Sequence, residues 1–254
     1  MKDFTFDAYR LYLKTIQSTY KHILRFDEYL RLGRKPVSFA MIRHDIDRRP
    51  LKALRMARVE NEMGIRSTYY FRVKPHVFKP SIIKAIKRLG HEIGYHYETL
   101  SDAMGDHASA LKRFRQNLEM LRLYSRIDTI CMHGRPFSPH NNLDLWRNPE
   151  TRSRLTTNYR ILGEIYLDID YHDIAYITDT GRNWDQKRSN KRDVVDTNVL
   201  ASLKNGMGLF HALKNKRWQK IIFQIHPERW SENESEYFIQ FLNDTCVNLV
   251  KKVL

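Results

Sequence analysis

Hydrophobic and polar positions along this chain follow two alternating rhythms. From Phe6 to Arg31, the residues Tyr9, Leu13, Ile16, Tyr20, Ile23, Leu24 and Leu30 fall at helical spacing with charges between them, and Gly33 ends the stretch. Val37 to His44 then reads as a first strand. Pro50 opens a helix carrying Leu54, Ala57 and Val59 that closes at Met63-Gly64, and Ser67 to Arg72 reads as a second strand. A helix through Ile82, Ile83 and Ile86 ends at Leu89-Gly90 and leads into a strand at His91 to His96. A helix from about Ala108 to Leu123 precedes a strand at Thr129 to Met132.

The second half is less regular. Pro136 to Thr157 reads as a polar loop, Ile161 to Tyr166 and Ile174 to Ile177 as short extended segments, and Trp184 to Asn198 as a second polar loop. A helix near Val199 to Leu213, weakened by Gly206 and Gly208, precedes a strand at Lys220 to Ile225, and a helix from about Glu232 follows. Strand and helix thus alternate about seven times, which predicts parallel βα units in one α/β sheet or barrel. Residues 1–35 are expected to be a helix packed on that barrel, and 36–254 the barrel itself.

Composition narrows the class. The chain has 254 residues, enough to bury a full core, and a formal net charge of +15. Its basic residues are spread along predicted helices (Arg10, Lys14, Lys52, Arg55, Lys84, Lys87, Arg113, Lys251) with no arginine-rich tail, which reads as a solvated surface rather than a nucleic-acid site. Two cysteines, Cys131 and Cys246, exclude a disulfide framework and a cysteine-based zinc module. MKDFTFDAYR lacks the apolar centre of a secretory signal, and no apolar run approaches the roughly 20 residues of a spanning helix. The expectation is a soluble cytoplasmic protein with no transmembrane segment.

Titratable groups collect where the predicted strands end. Asp45 and Asp47 end the first strand, two apart and hence on one face. Two adjacent carboxylates in a site of low dielectric call for a cation. A haloacid-type phosphatase would carry Thr or Val two places after the second Asp, and this chain has Arg49. His96 and Glu98, His133 and Arg135, Asp179 and Arg182, and His226 end later strands; such convergence favours a site. His91 and His96 are an odd number apart, so only one can face inward from a regular strand. Asp47 and His96 offer an oxygen and an imidazole suited to zinc or another first-row divalent ion. Asp45 beside them is a free carboxylate able to take a proton in metal-assisted hydrolysis.

RHDID, GHEIGYHYE, CMHGRPFS and IHPERW, in this order, resemble the motifs of the polysaccharide deacetylases, carbohydrate esterase family four, and in particular their uncharacterised relatives from bacterial surface-polysaccharide loci. The resemblance spans about Val37 to Trp230. It implies a single-domain distorted (β/α)7 TIM-like barrel that removes an acetyl group from an N-acetylated sugar. It further implies Asp45 as base, Asp47 and His96 as metal ligands, His226 as the acid that protonates the leaving amine, and Arg135 as the arginine that orients the base. The family's second metal histidine lies four residues after the first, where this chain has Leu100. Glu98 or His133 is left as third ligand, His133 replacing the missing imidazole more closely.

The expected function is therefore a metal-dependent amidohydrolase, zinc its expected cofactor, acting on an N-acylated carbohydrate, an anionic one included. Tyr97, Phe137, Trp184 and Trp230 are candidates to stack on sugar rings, with core packing as the equal alternative, and Arg182 is a candidate to pair an anionic sugar group. Hydrolysis of another C–N bond, in a cyclic imide or ureide, and a silent carbohydrate-binding relative are the competing readings. A nucleic-acid binder ranks last.

Overall fold

The computed structural model describes residues 2–135, 137–184 and 192–253. After helix α1 (Phe6–Thr19) come strand β1 (Ile23–Leu24), helix α2 (Phe26–Arg31), strand β2 (Phe39–Ile46) and helix α3 (Pro50–Glu62). Strand β3 (Thr68–Phe71), helix α4 (Pro80–Arg88), strand β4 (Glu92–Tyr97), helices α5 (Thr99–Asp102) and α6 (His107–Arg122) and strand β5 (Thr129–Met132) follow. The rest comprises α7 (Asp144–Arg147), α8 (Pro149–Thr157), β6 (Gly163–Glu164), β7 (Ala175–Thr178), α9 (Gly206–Lys214), β8 (Lys220–Ile225) and α10 (Glu234–Val253). No helix among the described residues is long and apolar enough to cross a membrane.

All strand pairs are parallel, in the order β6-β5-β4-β3-β2-β8-β7, so the sheet curls into a barrel left open between β6 and β7. This is the seven-stranded β/α architecture expected from the alternation. The pleat sorts side chains strictly. On β2, Ala40 and Ile42 join the apolar cluster under α1 and α9, and Ile46 that under α4 and α6, while Phe39 and Met41 join the interior cluster with Tyr70, Cys131, Tyr176 and Ile222. Arg43, Asp45 and Asp47 continue that inward row. Gly94 on β4 is required by this interior, because a Cβ there would stand 2.2 Å from the Tyr70 ring.

The start of the chain departs from the expected single helix. Tyr20 caps α1 in an extended conformation, and its hydroxyl donates to the Trp218 carbonyl at 2.9 Å. Ile23 and Leu24 then pair with Ala40 and Met41 as β1. That apolar pair satisfies helix and strand rhythm equally, and the stretch of β2 before Arg43 that β3 leaves unpaired decides. Helix α2 closes the amino-terminal end of the barrel: Phe26 and Tyr29 pack in the interior cluster, and the amides of Phe26 and Asp27 donate to Thr68 and Glu92 at the starts of β3 and β4.

Three other expectations are corrected. The segment 136–157 holds α7 and α8, the latter begun by Pro149 at its first position and by the Asn148 side chain accepting from the Glu150 amide. Of 161–166 only Gly163 and Glu164 pair as strand. The helix near 199–213 starts at Gly206, where Asn205 accepts from the Gly208 amide at 3.0 Å. The expected polar loop from Trp184 to Asn198 falls in part outside the described residues, and its described part, 184 and 192–198, holds neither helix nor strand.

Candidate metal centre

Parallel strands bring their carboxyl ends to one mouth, and Asp47, His96 and His133 meet there from β2, β4 and β5. One side-chain donor atom from each lies within 4.8 Å of the others. Asp47 Oδ1 is 3.5 Å from His96 Nε2 and 3.4 Å from His133 Nε2. It is buried and lacks a hydrogen-bond partner of good geometry. Ligand atoms about 2.0–2.1 Å from a tetrahedral zinc are about 3.3–3.4 Å apart, so the spacing is that of neighbouring ligands around one ion.

Both imidazoles have fixed tautomers. His96 Nδ1 donates to the Cys131 carbonyl at 3.0 Å, across the β4–β5 register that pairs these two residues. His133 Nδ1 donates to Glu98 Oε2 at 3.0 Å. Each neutral ring then presents an unprotonated Nε2, the usual arrangement of a metal-binding histidine held by an outer acceptor. Glu98 is accordingly not a ligand: Arg72 engages its carboxylate at 2.7 and 3.0 Å. Burial opposes its ionisation, but His133 and Arg72 outweigh it and hold it well below the usual carboxylate range. For His133 burial disfavours the cation, while Asp47 and Glu98 overcome it and raise the ring to about 9. A cation at this place would replace that proton.

A second group, Asp45, His96 and Cys131, is also compact, but fits a metal less well. Asp45 is enclosed by Arg43, with Nε to Oδ1 at 2.9 Å and Nη2 to Oδ2 at 2.7 Å, and by Gln224 Nε2 at 2.7 Å. Burial alone would raise the Asp45 carboxyl; the Arg43 guanidinium reverses this and keeps it ionised. The arginine on this carboxylate is thus Arg43, two residues earlier on the same strand face, rather than Arg135. Arg135 reaches Asp102 at 2.9 Å and Glu98 at 3.8 Å. Sequence reasoning missed Arg43, although the parity that aligned Asp45 with Asp47 aligns it too.

His226 stands beside Asp45 because β8 is next to β2, with Ile225 opposite His44. Its Nδ1 lies 2.6 Å from Asp179 Oδ1, and its amide donates to Oδ2 of the same carboxylate at 2.9 Å. Burial and Arg229 disfavour its charged form, but Asp179 and Asp47 prevail and raise it to about 9. Asp179, left without a role by sequence reasoning, is thereby the orienting partner of His226.

The aromatic candidates fare differently. Tyr97 is fully buried on the outward face of β4, against Tyr95, Phe114 and Trp146. Trp184 stacks on Phe4 in the outer core. Trp230 is likewise buried, its indole N–H donating to Asp179 at 2.8 Å. These three are core residues and not sugar platforms; of the four only Phe137 is exposed. Arg182 is also buried, over Phe4 and Tyr237 with Nη1 donating to the Arg229 carbonyl, so it does not present its charge to an incoming anion.

The fold and site define a parallel β/α barrel with an Asp–His–His set at its carboxyl-terminal mouth. No family model and no curated protein matches the chain. Among solved structures it resembles a CE4 family pseudoenzyme from Bacillus anthracis, at 12% identity and a TM-score of 0.42, over 84% of this chain and 60% of that one. The chain thus spans about three fifths of that protein's length. It also resembles the peptidoglycan deacetylase PdaC from Bacillus subtilis (13% identity, TM-score 0.40, 85% of this chain and 96% of that one) and a family 4 carbohydrate esterase from Bacillus anthracis (14%, 0.37, 84% and 89%). These are members of the family whose motifs the sequence resembles.

Proposed function

We propose that the protein is a metal-dependent hydrolase that removes an acyl group, acetyl in the first instance, from the nitrogen of a sugar. The observation that carries this reading is the buried, unpartnered Oδ1 of Asp47 facing two imidazole Nε2 atoms whose rings are locked by outer acceptors. Asp47, His96 and His133 would hold zinc or a similar ion, which when bound supplies a Lewis acid toward the acyl oxygen and acidifies water. Asp45, kept ionised by Arg43 and aimed by Gln224, accepts the proton of the attacking water. His226, charged near neutrality and oriented by Asp179, gives a proton to the departing amine. A neutral or anionic N-acyl saccharide is the substrate class.

Elemental analysis of the purified protein, together with acetate release from N-acetylated sugars, tests this. One zinc per chain is expected, lost in both His96→Ala and His133→Ala with the circular dichroism spectrum unchanged. His226→Ala should keep the metal and lose roughly 10²- to 10⁴-fold in turnover, the usual worth of a general acid. Full metal retention in both histidine variants overturns the ligand assignment. Bound metal without acetate release from any N-acetyl sugar overturns the acetyl-sugar reading and favours an imide or ureide.

A further inference from the structure

The mouth around the Asp–His–His set is unevenly charged. On the His133 side three cations, Arg72, Lys74 and Arg135, share two carboxylates, Glu98 and Asp102. Arg72 is largely buried, whereas the Arg135 side chain is 41% exposed. On the Asp47 side Arg48 is 53% exposed, and its nearest acid is Glu228, 3.8 Å away and buried. A separation of 3.8 Å is too long for a hydrogen bond, so Arg48 is only partly neutralised. Arg48 and Arg135 thus stand one and two places after the ligand candidates Asp47 and His133, just beyond the ends of β2 and β5, which flank β3 and β4 in the sheet.

We infer that Arg48 and Arg135 select a saccharide bearing an anionic oxygen group, phosphate or carboxylate, and seat that group at the rim while the N-acyl group enters the metal set. This rests on the reading of the site as an N-acyl sugar hydrolase and names its substrate class. Guanidinium is the fitting chemistry, since its fork of N–H donors matches phosphate and carboxylate oxygens. The placement also separates tasks: the buried arginines Arg43 and Arg72 hold site carboxylates, whereas Arg48 and Arg135, the latter paired with Asp102, keep side-chain surface exposed at the rim.

Calorimetric titration of the zinc-loaded protein tests the inference, using N-acetylglucosamine, its 1-phosphate and N-acetylmuramic acid as neutral, phosphate and carboxylate probes. At least one charged sugar should bind roughly tenfold or more tightly than the neutral one, with affinity falling as KCl rises, as expected for exposed charges. The double variant Arg48→Gln/Arg135→Gln should lose about tenfold or more in that affinity, the scale of a charge-assisted hydrogen bond, with zinc content unchanged. Arg135→Lys should restore part of the loss against Arg135→Gln, which a purely structural role through Asp102 would not require. Preference for phosphate over carboxylate, or the reverse, tells which group the rim takes. Equal affinity for neutral and charged sugars, or undiminished affinity in the double variant, as when the metal alone binds the anion, overturns the inference. Arginine-dependent binding without acetate release would sink the hydrolase reading and leave this one; efficient deacetylation of neutral sugars with no arginine dependence would do the opposite.

Discussion

At the scale of single residues, the two arginines near the carboxylates divide in a way that sequence alone did not resolve. Asp45, Asp47 and His96 were legible because strand parity and strand-end position are properties of the sequence, and their convergence follows from parallel topology. Arg43 was readable by the same parity but carried no motif of its own, while Arg135 carried a motif and faces Asp102. Arg43 is fully buried and ion-paired, so removing it strands a buried carboxylate. Arg43→Met is expected to destabilise the protein by about 3–5 kcal/mol. Adding Asp45→Asn should recover much of that loss, since the second change removes the uncompensated charge. Urea denaturation of the wild type, both single variants and the double variant measures this; additive losses would show that the pair does not act as a unit.

At the scale of elements, the barrel's amino-terminal end carries its own polar layer. Glu92 accepts from the hydroxyls of Thr68 and Thr129 and from the Asp27 amide, at 2.6 to 3.0 Å. Burial, and then Asp27, push it up to about 7 despite these donors. The folded state therefore holds a proton that the unfolded chain releases near pH 4.5, so the contribution of Glu92 to stability is greatest below that value and falls as pH rises toward 7. Glu92→Gln keeps the acceptor for Asp27 and Thr68 and turns an amide toward Thr129, whose hydroxyl can accept. It should abolish this slope and raise stability above pH 7 by roughly 3 kcal/mol. Melting temperatures across pH 5–8 would show it, and parallel profiles would contradict the assignment. None of this was legible beforehand, because the motif GHEIGYH does not say what packs against Glu92. Its environment is made by α2, which the helical rhythm of Phe6 to Arg31 concealed by running through the turn at Tyr20. Gly94 was similarly silent, since its need arises from Tyr70 on the neighbouring strand.

At the scale of the whole molecule, the net charge of +15 gave no patch in the sequence because its residues are distant along the chain. Topology collects Arg48, Arg72, Lys74 and Arg135 at one mouth. The barrel itself was foreseeable from alternation, and the expected aromatic platforms were not, since Trp184 and Trp230 serve the outer core that joins α1 to β8.

The order of strands in the sheet also has a temporal meaning. Strands β2 to β5 are consecutive in sequence and adjacent in space, so Asp47, His96 and His133 can be assembled by a chain folding locally from its middle. Gln224 and His226 join only when β8 docks on the far edge of β2, closing a loop of roughly 180 residues, a slow kind of event. Pulse-labelled hydrogen exchange during refolding is expected to protect the amides of β3 to β5 before those of β8, and zinc should accelerate only the earlier phase. Simultaneous protection of all strands would contradict this. Under the proposed function, a chain that folds in this order would acquire its ion before its proton donor, and would remain chemically idle until the last strand arrives.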